Sequence, residues 1–352
     1  MKIGIIGLPQ SGKTTIFNAA AGKSEAVGDF SKASHRAIIK VPDARLDKLS
    51  ELVRPKKTTY AEIDYLDITA FSGKGKNTDA STLNIPDDLR YADALMVVIN
   101  CYAPDCTPKK NFGLFLDEMM LSDQVIIERN IEKKERTAKL TGDKTLQGEV
   151  ETLRKCLGNL ENETPLSETG LEENEEKLLR GYRFLSQKPL LVVLNISEDD
   201  IGNESKWLDL FKDREIPGIR EFVAICGKIE MEIGSLDPED RDAFLSDLGI
   251  KQPAMELLIQ KSYSLLGLIS FFTLSDPEVR AWTISSGTNA RKAAGAVHTD
   301  MERGFIRAEV IKYDDFAECG SMAASKNAGK YRLEGKDYIV QDGDVILFRF
   351  NI

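Results

Sequence analysis

Eight residues near the N-terminus, Gly7-Leu8-Pro9-Gln10-Ser11-Gly12-Lys13-Thr14, constrain this chain more than any other stretch. They satisfy the spacing glycine-x4-glycine-lysine-threonine and stand between an apolar run at 2–6 and a helix-like stretch at 13–22. Strand, glycine loop and helix in that order aim backbone N–H groups at a common centre, with the positive end of the helix dipole behind them. The pattern predicts a cradle for the phosphates of a nucleotide, formed by Gly7, Pro9, Gln10, Ser11, Gly12, Lys13, Thr14 and Thr15. Lys13 is expected to reach the β- and γ-phosphates and to act in catalysis, and the Thr14 hydroxyl to ligate Mg²⁺.

Such a site needs a second carboxylate linked to Mg²⁺, at the end of a neighbouring strand. Asp67, closing IDYLDI, is the best candidate for that metal and catalytic role; Asp64, inside the same strand, is the alternative. The base must be read from the later half of the chain. Asn195 ends the apolar run LLVVLN and is followed by Ile196, Ser197 and Glu198. In guanine-reading P-loop proteins the corresponding pattern is Asn-Lys-x-Asp, whose aspartate accepts two hydrogen bonds from guanine. Here isoleucine replaces the lysine and Glu198 the aspartate. Charge-assisted bonds of that kind are worth ~1.5–3 kcal/mol each. Losing that fork therefore predicts ATP in preference to GTP, with Asn195 orienting the base edge.

Around these motifs the chain alternates strands and helices. Residues 60–68 contain a strand, and 94–100 (ALMVVIN), 190–195 and 221–226 are apolar runs suited to a parallel sheet covered on both faces. Between the halves, residues 114–186 turn polar and helix-rich, with Leu, Val and Ile at three- and four-residue steps and a break at Thr141-Gly142-Asp143. From 268 onward, short runs (ISFFTL, RAWTI, FIRAEVI, YIVQDG, DVILFRF) alternate with turn signals around one helix at 290–297. The expected organisation is an α/β nucleotide-binding domain (1–113 and 187–267), an inserted antiparallel helical hairpin (114–186) and a small α+β module (268–352).

Composition narrows the class. A chain of 352 residues has room for two or three cores, and its net charge of −10 argues against nonspecific nucleic-acid binding by the whole surface. Local basic clusters stand at Arg54, Lys56 and Lys57, and at Lys133, Lys134, Arg136 and Lys139. No apolar run approaches the roughly 20 residues of a membrane span. The apolar start is shorter than the roughly 7 to 15 residues of a secretory core. Of five cysteines (Cys101, Cys106, Cys156, Cys226, Cys319), Cys101 and Cys106 have an x4 spacing but no second Cys/His pair completes a metal site, and the five suggest reduced thiols in a cytoplasmic protein.

Taken with these motifs, GLPQSGKTT (7–15), VPDARLDKL (41–49), NISE (195–198) and a C-terminal block (EVRAWTI, AAGAVHTDMERGFIRAEVI, EGKDYIVQDGDVILFRFN) resemble the YchF/Obg-like ATPase family of translation-factor-related P-loop proteins. The resemblance covers nearly the whole chain. It implies a nucleotide domain, an inserted helical coiled coil and a C-terminal TGS domain of ubiquitin-like β-grasp fold. It also implies ATP and Mg²⁺ as ligands, and the ribosome or RNA as partner of a monomeric protein. By position it places Cys226 and Gly227, with Ile225, in the loop packing on the base, and Ser31 near a switch residue that ligates Mg²⁺.

Two departures from the family pattern bear on hydrolysis. The glycine expected after the strand-end aspartate is Ala70, and Phe71 follows it. The histidine expected in the loop after ALMVVIN is missing: residues 101–112 contain none, and the chain has only His35 and His298. ATP binding is therefore expected to be intact and hydrolysis slow or partner-dependent. A non-hydrolysing, nucleotide-stabilised binding module is the alternative, and a small-molecule P-loop kinase a more distant one.

Overall fold

The computed structural model describes residues 1–22, 34–68, 86–212, 219–250 and 252–351. The expectations for Ser31, Ala70, Phe71 and most of the altered segment 69–86 lie outside the described residues. Twelve strands are named here: β1 (Lys2–Gly7), β2 (Ser34–Lys40), β3 (Lys57–Thr59), β4 (Glu62–Ile68), β5 (Ala94–Cys101), β6 (Leu190–Ile196), β7 (Ile219–Ile225), β8 (Leu268–Leu274), β9 (Glu278–Ser285), β10 (Phe305–Lys312), β11 (Arg332–Glu334) and β12 (Asp344–Phe350). They form two six-stranded sheets, β2-β4-β1-β5-β6-β7 and β11-β10-β12-β8-β9-β3. The chain divides into two compact units: 1–38 with 64–258, and 39–63 with 259–352.

In the first unit, β4, β1, β5, β6 and β7 run parallel. Every residue of β6 is buried, and all of β5 except Asn100, as expected of strands covered on both faces. Register sets the functional edge. Ile5 lies beside Asp67, Gly7 beside Val98, and Asn100 beside Asn195, so Gly7, Asp67, Asn100 and Asn195 all reach the carboxyl edge of the sheet. Open α/β sheets place their ligands at that edge.

The predicted hairpin is present in the same unit. Helix α1 (Lys13–Ala21) follows the glycine loop; α2 (Ala44–Val53) belongs to the second unit. Helix α3 (Pro108–Thr141) turns at Gly142, which takes a left-handed conformation (φ 67°), and α4 (Lys144–Glu161) starts from Asp143, whose carboxylate accepts from Thr145 N and Leu146 N. The TGD break thus works as a glycine C-cap followed by an aspartate N-cap. Met120, Ile127, Leu153, Cys156 and Leu160 fill the seam between α3 and α4, continued by Leu166, Leu179 and Phe184.

The second unit carries the β-grasp arrangement. β8 and β9 form a hairpin, β12 runs parallel beside β8 in the middle, and β10 pairs antiparallel with β12 on its other side. Helix Ala290–Val297 buries Ala290, Ala293 and Ala294 with Phe271, Val310 and Ile346. Residues 39–63, expected inside the nucleotide-binding domain, group with this unit. β3 extends the sheet, with Thr58 opposite Val279. Within the VPDARLDKL motif, Asp43 caps α2 through Arg45 N (3.0 Å), and Arg45 pairs with Asp342 at 2.8 Å. The run YIVQDG, expected as a strand, forms no full one: Ile339 makes a single antiparallel bridge to Asn289, and Asp342-Gly343 turn the chain into β12. Asp344 gathers the Tyr338 hydroxyl (2.7 Å) and Gln341 N (2.9 Å), and Gly343 sits at φ 87°.

Candidate nucleotide site

β1 ends at Gly7 and α1 begins at Lys13, so five residues make the turn. Gln10 (φ 62°) and Gly12 (φ 90°) both occupy the left-handed region, which curls the backbone into a ring. Gly7 is required by proximity: a Cβ there would lie 2.4 Å from Ser11 Oγ and 2.7 Å from Val98 O. The Lys13 ammonium donates to Gly7 O (2.7 Å) and Leu8 O (3.3 Å) across the mouth of the ring. Burial lowers the Lys13 pKa from its ordinary value, and the nearby Asp67 carboxylate opposes that shift.

Asp67 is 0% exposed and accepts a hydrogen bond from Thr14 Oγ1 at 3.2 Å. Burial raises its carboxyl above the ordinary range, while the Thr14 hydrogen bond and Lys13 act against the rise. Asp64, the alternative, pairs instead with Arg36 at 2.8 Å. Two buried polar atoms here, Asp67 Oδ1 and Ser11 Oγ, have no hydrogen-bond partner among the described residues. Buried polar atoms are rarely left in that state, and when they are, an ion or ligand is a common reason. No group of three or more His, Cys, Asp or Glu residues able to hold a metal occurs among the described residues. One hydroxyl and one carboxylate suit Mg²⁺, which keeps waters and takes phosphate oxygens rather than an all-protein cage.

Asn195 is brought to the loop, where its amide is tied to the chain on both sides. Its Nδ2 donates to Ser11 O (3.0 Å) and its Oδ1 accepts from Gly227 N (3.0 Å). The buried amide thus ties the phosphate loop to the start of helix Gly227–Ser235, and its oxygen is already engaged by the chain. Gly12 and Gly227 make room for it: a Cβ on Gly12 would stand 2.1 Å from Asn195 Nδ2, and one on Gly227 3.2 Å from Asn195 Oδ1 and 2.8 Å from Ile16 Cδ1.

Beside the loop opens a pocket of about 480 Å³, lined by Gly12, Thr15, Asn195, Glu198, Cys226 and residues that the sequence reading did not single out. Lys228 is one: its ammonium pairs with the Glu198 carboxylate. Tyr102 is another, its hydroxyl donating to Gln10 O at 2.5 Å. Next to it, Asn100 Oδ1 accepts from Tyr102 N (3.0 Å) and Ala103 N (3.1 Å). The paired endings VVIN and VVLN, side by side in the sheet, were the signal for Asn100. Tyr102 and Lys228 carry no motif of their own. Cys226, buried at the pocket wall, has its thiol pushed up by burial.

A phosphate loop, a strand-end aspartate on the Thr14 hydroxyl and an adjacent pocket of nucleoside size define a P-loop nucleoside triphosphatase. The profile of YchF-GTPase_C, described as "Protein of unknown function (DUF933)", matches residues 268–351. A Bacillus subtilis protein named "Ribosome-binding ATPase YchF" is 40% identical over 99% of each chain, and a Haemophilus influenzae protein of the same name is 39% identical over 100% of this chain and 99% of its own. The solved Schizosaccharomyces pombe YchF GTPase shares the fold, with a TM-score of 0.84 over 99% of this chain and 97% of its own at 24% identity. The chain belongs to the YchF family.

Proposed function

We propose that the chain is an Mg²⁺-dependent nucleotide switch that prefers ATP to GTP, hydrolyses it slowly and works at the ribosome as a cytoplasmic monomer. The observation that carries the nucleotide preference is the Glu198–Lys228 pair at the pocket mouth. A guanine reader needs an aspartate there with both oxygens free for N1–H and the 2-amino group. Glu198 is one methylene longer and is held by a cation across the pocket. Adenine presents neither of those donors, so it loses nothing by this arrangement.

Thr14 and Asp67 would hold Mg²⁺, supported by their mutual hydrogen bond and the unpartnered Asp67 Oδ1. The ion supplies charge neutralisation between the β- and γ-phosphates. Lys13 adds a second positive charge beside the loop, and the ring of N–H groups fixes the phosphates. No histidine stands in 101–112 to orient an attacking water, which favours slow or partner-stimulated turnover. The ribosome enters from the printed names of the Bacillus and Haemophilus relatives. The described helices include none long and apolar enough to cross a membrane.

Parallel titrations of ATP and GTP, with turnover measured with and without ribosomes, test the reading. The expected result is ATP bound at least about tenfold more tightly than GTP, turnover far below on the order of 10 s⁻¹, and stimulation by ribosomes. Tighter GTP binding would refute the base assignment. Lys13→Ala should abolish nucleotide binding, and unchanged affinity would refute the site.

A further inference from the structure

At the opposite, amino-terminal edge of the first sheet lies a cleft of about 1160 Å³, larger than a typical small-molecule pocket. Its centre is a built surface. The Arg183 guanidinium stacks over the Tyr91 ring, 4.4 Å from the centroid, and Tyr91 is 61% exposed. One carboxylate organises both residues. Asp123 on α3 is 0% exposed; its Oδ1 accepts from Arg90 Nη1 (2.8 Å) and Leu185 N (3.0 Å), and its Oδ2 from Ser186 N (2.7 Å) and Ser186 Oγ (2.8 Å). Arg90 immediately precedes Tyr91, and Leu185 lies two residues after Arg183, so the node fixes both halves of the stack. Arg183 also sits at φ 53°, a left-handed conformation that costs a non-glycine residue energy and is kept where neighbours enforce it.

Arg90 is committed to Asp123, but the other cations of the cleft have no carboxylate partner among the described residues. Lys2, Arg180, Arg183 and Lys188 line it, and none is within ion-pairing distance of a carboxylate among the described residues. Lys188 is half-buried, donating only to the carbonyls of Arg90 (3.0 Å) and Ala92 (2.5 Å), and burial lowers its pKa. Asp93, Glu168 and Glu176 also line the cleft, so the positive charge is local to the stack rather than a continuous rail. A duplex, with two phosphate rails, would meet those carboxylates. A single strand needs only one or two phosphates and a face to stack on.

We propose that this cleft is a contact for single-stranded RNA, with the Tyr91–Arg183 stack receiving a base and Arg180 and Arg183 receiving flanking phosphates. The proposal rests on the ribosomal reading above and names the surface that meets RNA. An exposed aromatic ring with an arginine against one face offers the sequence-tolerant stacking that single-strand binders use. The separation from the P-loop means that each site can be altered without touching the other.

The test uses the full chain without nucleotide and a short fluorescein-labelled single-stranded RNA, titrated at about 50 and about 150 mM salt. Wild-type protein is expected to bind, more weakly at the higher salt. Arg180→Ala with Arg183→Ala should weaken binding at least about tenfold and flatten the log–log salt slope by about 1.4, the change for two phosphates. Tyr91→Ala should cost about tenfold, and Tyr91→Phe should restore binding, because stacking needs the ring and not the hydroxyl. ATP affinity should match wild type in every variant.

No RNA binding by wild type overturns the proposal, as does undiminished binding by the double arginine variant. Tyr91→Phe as damaging as Tyr91→Ala also overturns it. Should the arginine variant lose ATP affinity as well, and so report misfolding, the two Tyr91 variants decide. Ribosome co-sedimentation separates the two readings. Sedimentation with no RNA binding removes this proposal and leaves the ribosomal one. RNA binding with no sedimentation does the reverse.

Discussion

A methyl group at position 12 would stand 2.1 Å from Asn195 Nδ2, on a backbone whose φ of 90° already excludes most side chains. Gly12→Ala is therefore expected to break the Asn195–Ser11 tie, destabilise the protein by about 2–3 kcal/mol and lower ATP affinity at least about a hundredfold. Denaturant melts and ATP titration check both. Asp67 is a site held against its own stability. Its folded-state pKa is raised by burial, so its contribution to stability is most favourable below the ordinary carboxylate range and is lost as pH rises through the raised value. Asp67→Asn removes the buried charge. The nucleotide-free variant should be more stable than wild type near neutral pH by about 1 kcal/mol, with the gain shrinking as pH falls, while Mg²⁺-dependent ATP binding is lost. A variant less stable at neutral pH would show that the carboxylate is structurally needed. The sequence marks Gly12, Asp67 and Asn195 because each obeys a spacing rule. It does not show which way Asn195 points, because that depends on β1, β5 and β6 lying side by side. Nor does it mark Tyr102 and Lys228, which meet the site only where loops more than a hundred residues apart converge.

At the scale of elements, legibility followed period and length. The long amphipathic stretch, the TGD break and helix 290–297 stand close to where their patterns put them, because each carries its own repeat or cap. β3 spans three residues, too few to show alternation, so its place in the second sheet is set by pairing with β9 alone. YIVQDG alternates like a strand, yet it pairs with its neighbour only at Ile339, and the hydrogen bonds to Asp344 turn its end at Asp342-Gly343. The Asp123 node is a third kind of feature. An aspartate among EMMLSDQVII reads as a solvated helix position, but it is the fully buried acceptor that joins α3 to Arg90 and to the chain entering β6. Asp123→Ala takes the paired carboxylate from Arg90, which keeps its bonds to Ser122, and leaves the Leu185 and Ser186 N–H groups without that acceptor; it should cost about 3–5 kcal/mol. Combined with Arg90→Met, the loss should be smaller than the sum of the two single losses, since the second change removes the charge that Asp123 neutralised. Additive losses in a double-mutant cycle would mean that the two residues act separately.

For the whole molecule, the P-loop, Asp67 and the pocket all belong to one of the two units, as do the helical hairpin and the basic cleft. A ligand that binds the folded form alone stabilises it by mass action, about 2.7 kcal/mol at a hundredfold excess over its dissociation constant. Hydrogen exchange locates where that stabilisation falls. With ATP and Mg²⁺, protection is expected to rise at 7–21, at 100–103 and around 195–198 and 226–230, the segments that Asn195, Asn100 and Tyr102 tie to the loop. ATP without Mg²⁺ should protect the same segments less, because Asp67 Oδ1 then gains no partner. GTP should leave 195–198 and 226–230 nearer their unliganded rates even at concentrations that protect 7–21. In the proposed reading the phosphate loop would take both triphosphates alike, whereas the Glu198–Lys228 pair would face only the base. Equal protection of 195–198 by GTP and ATP at matched loop occupancy would locate the base preference elsewhere than Glu198.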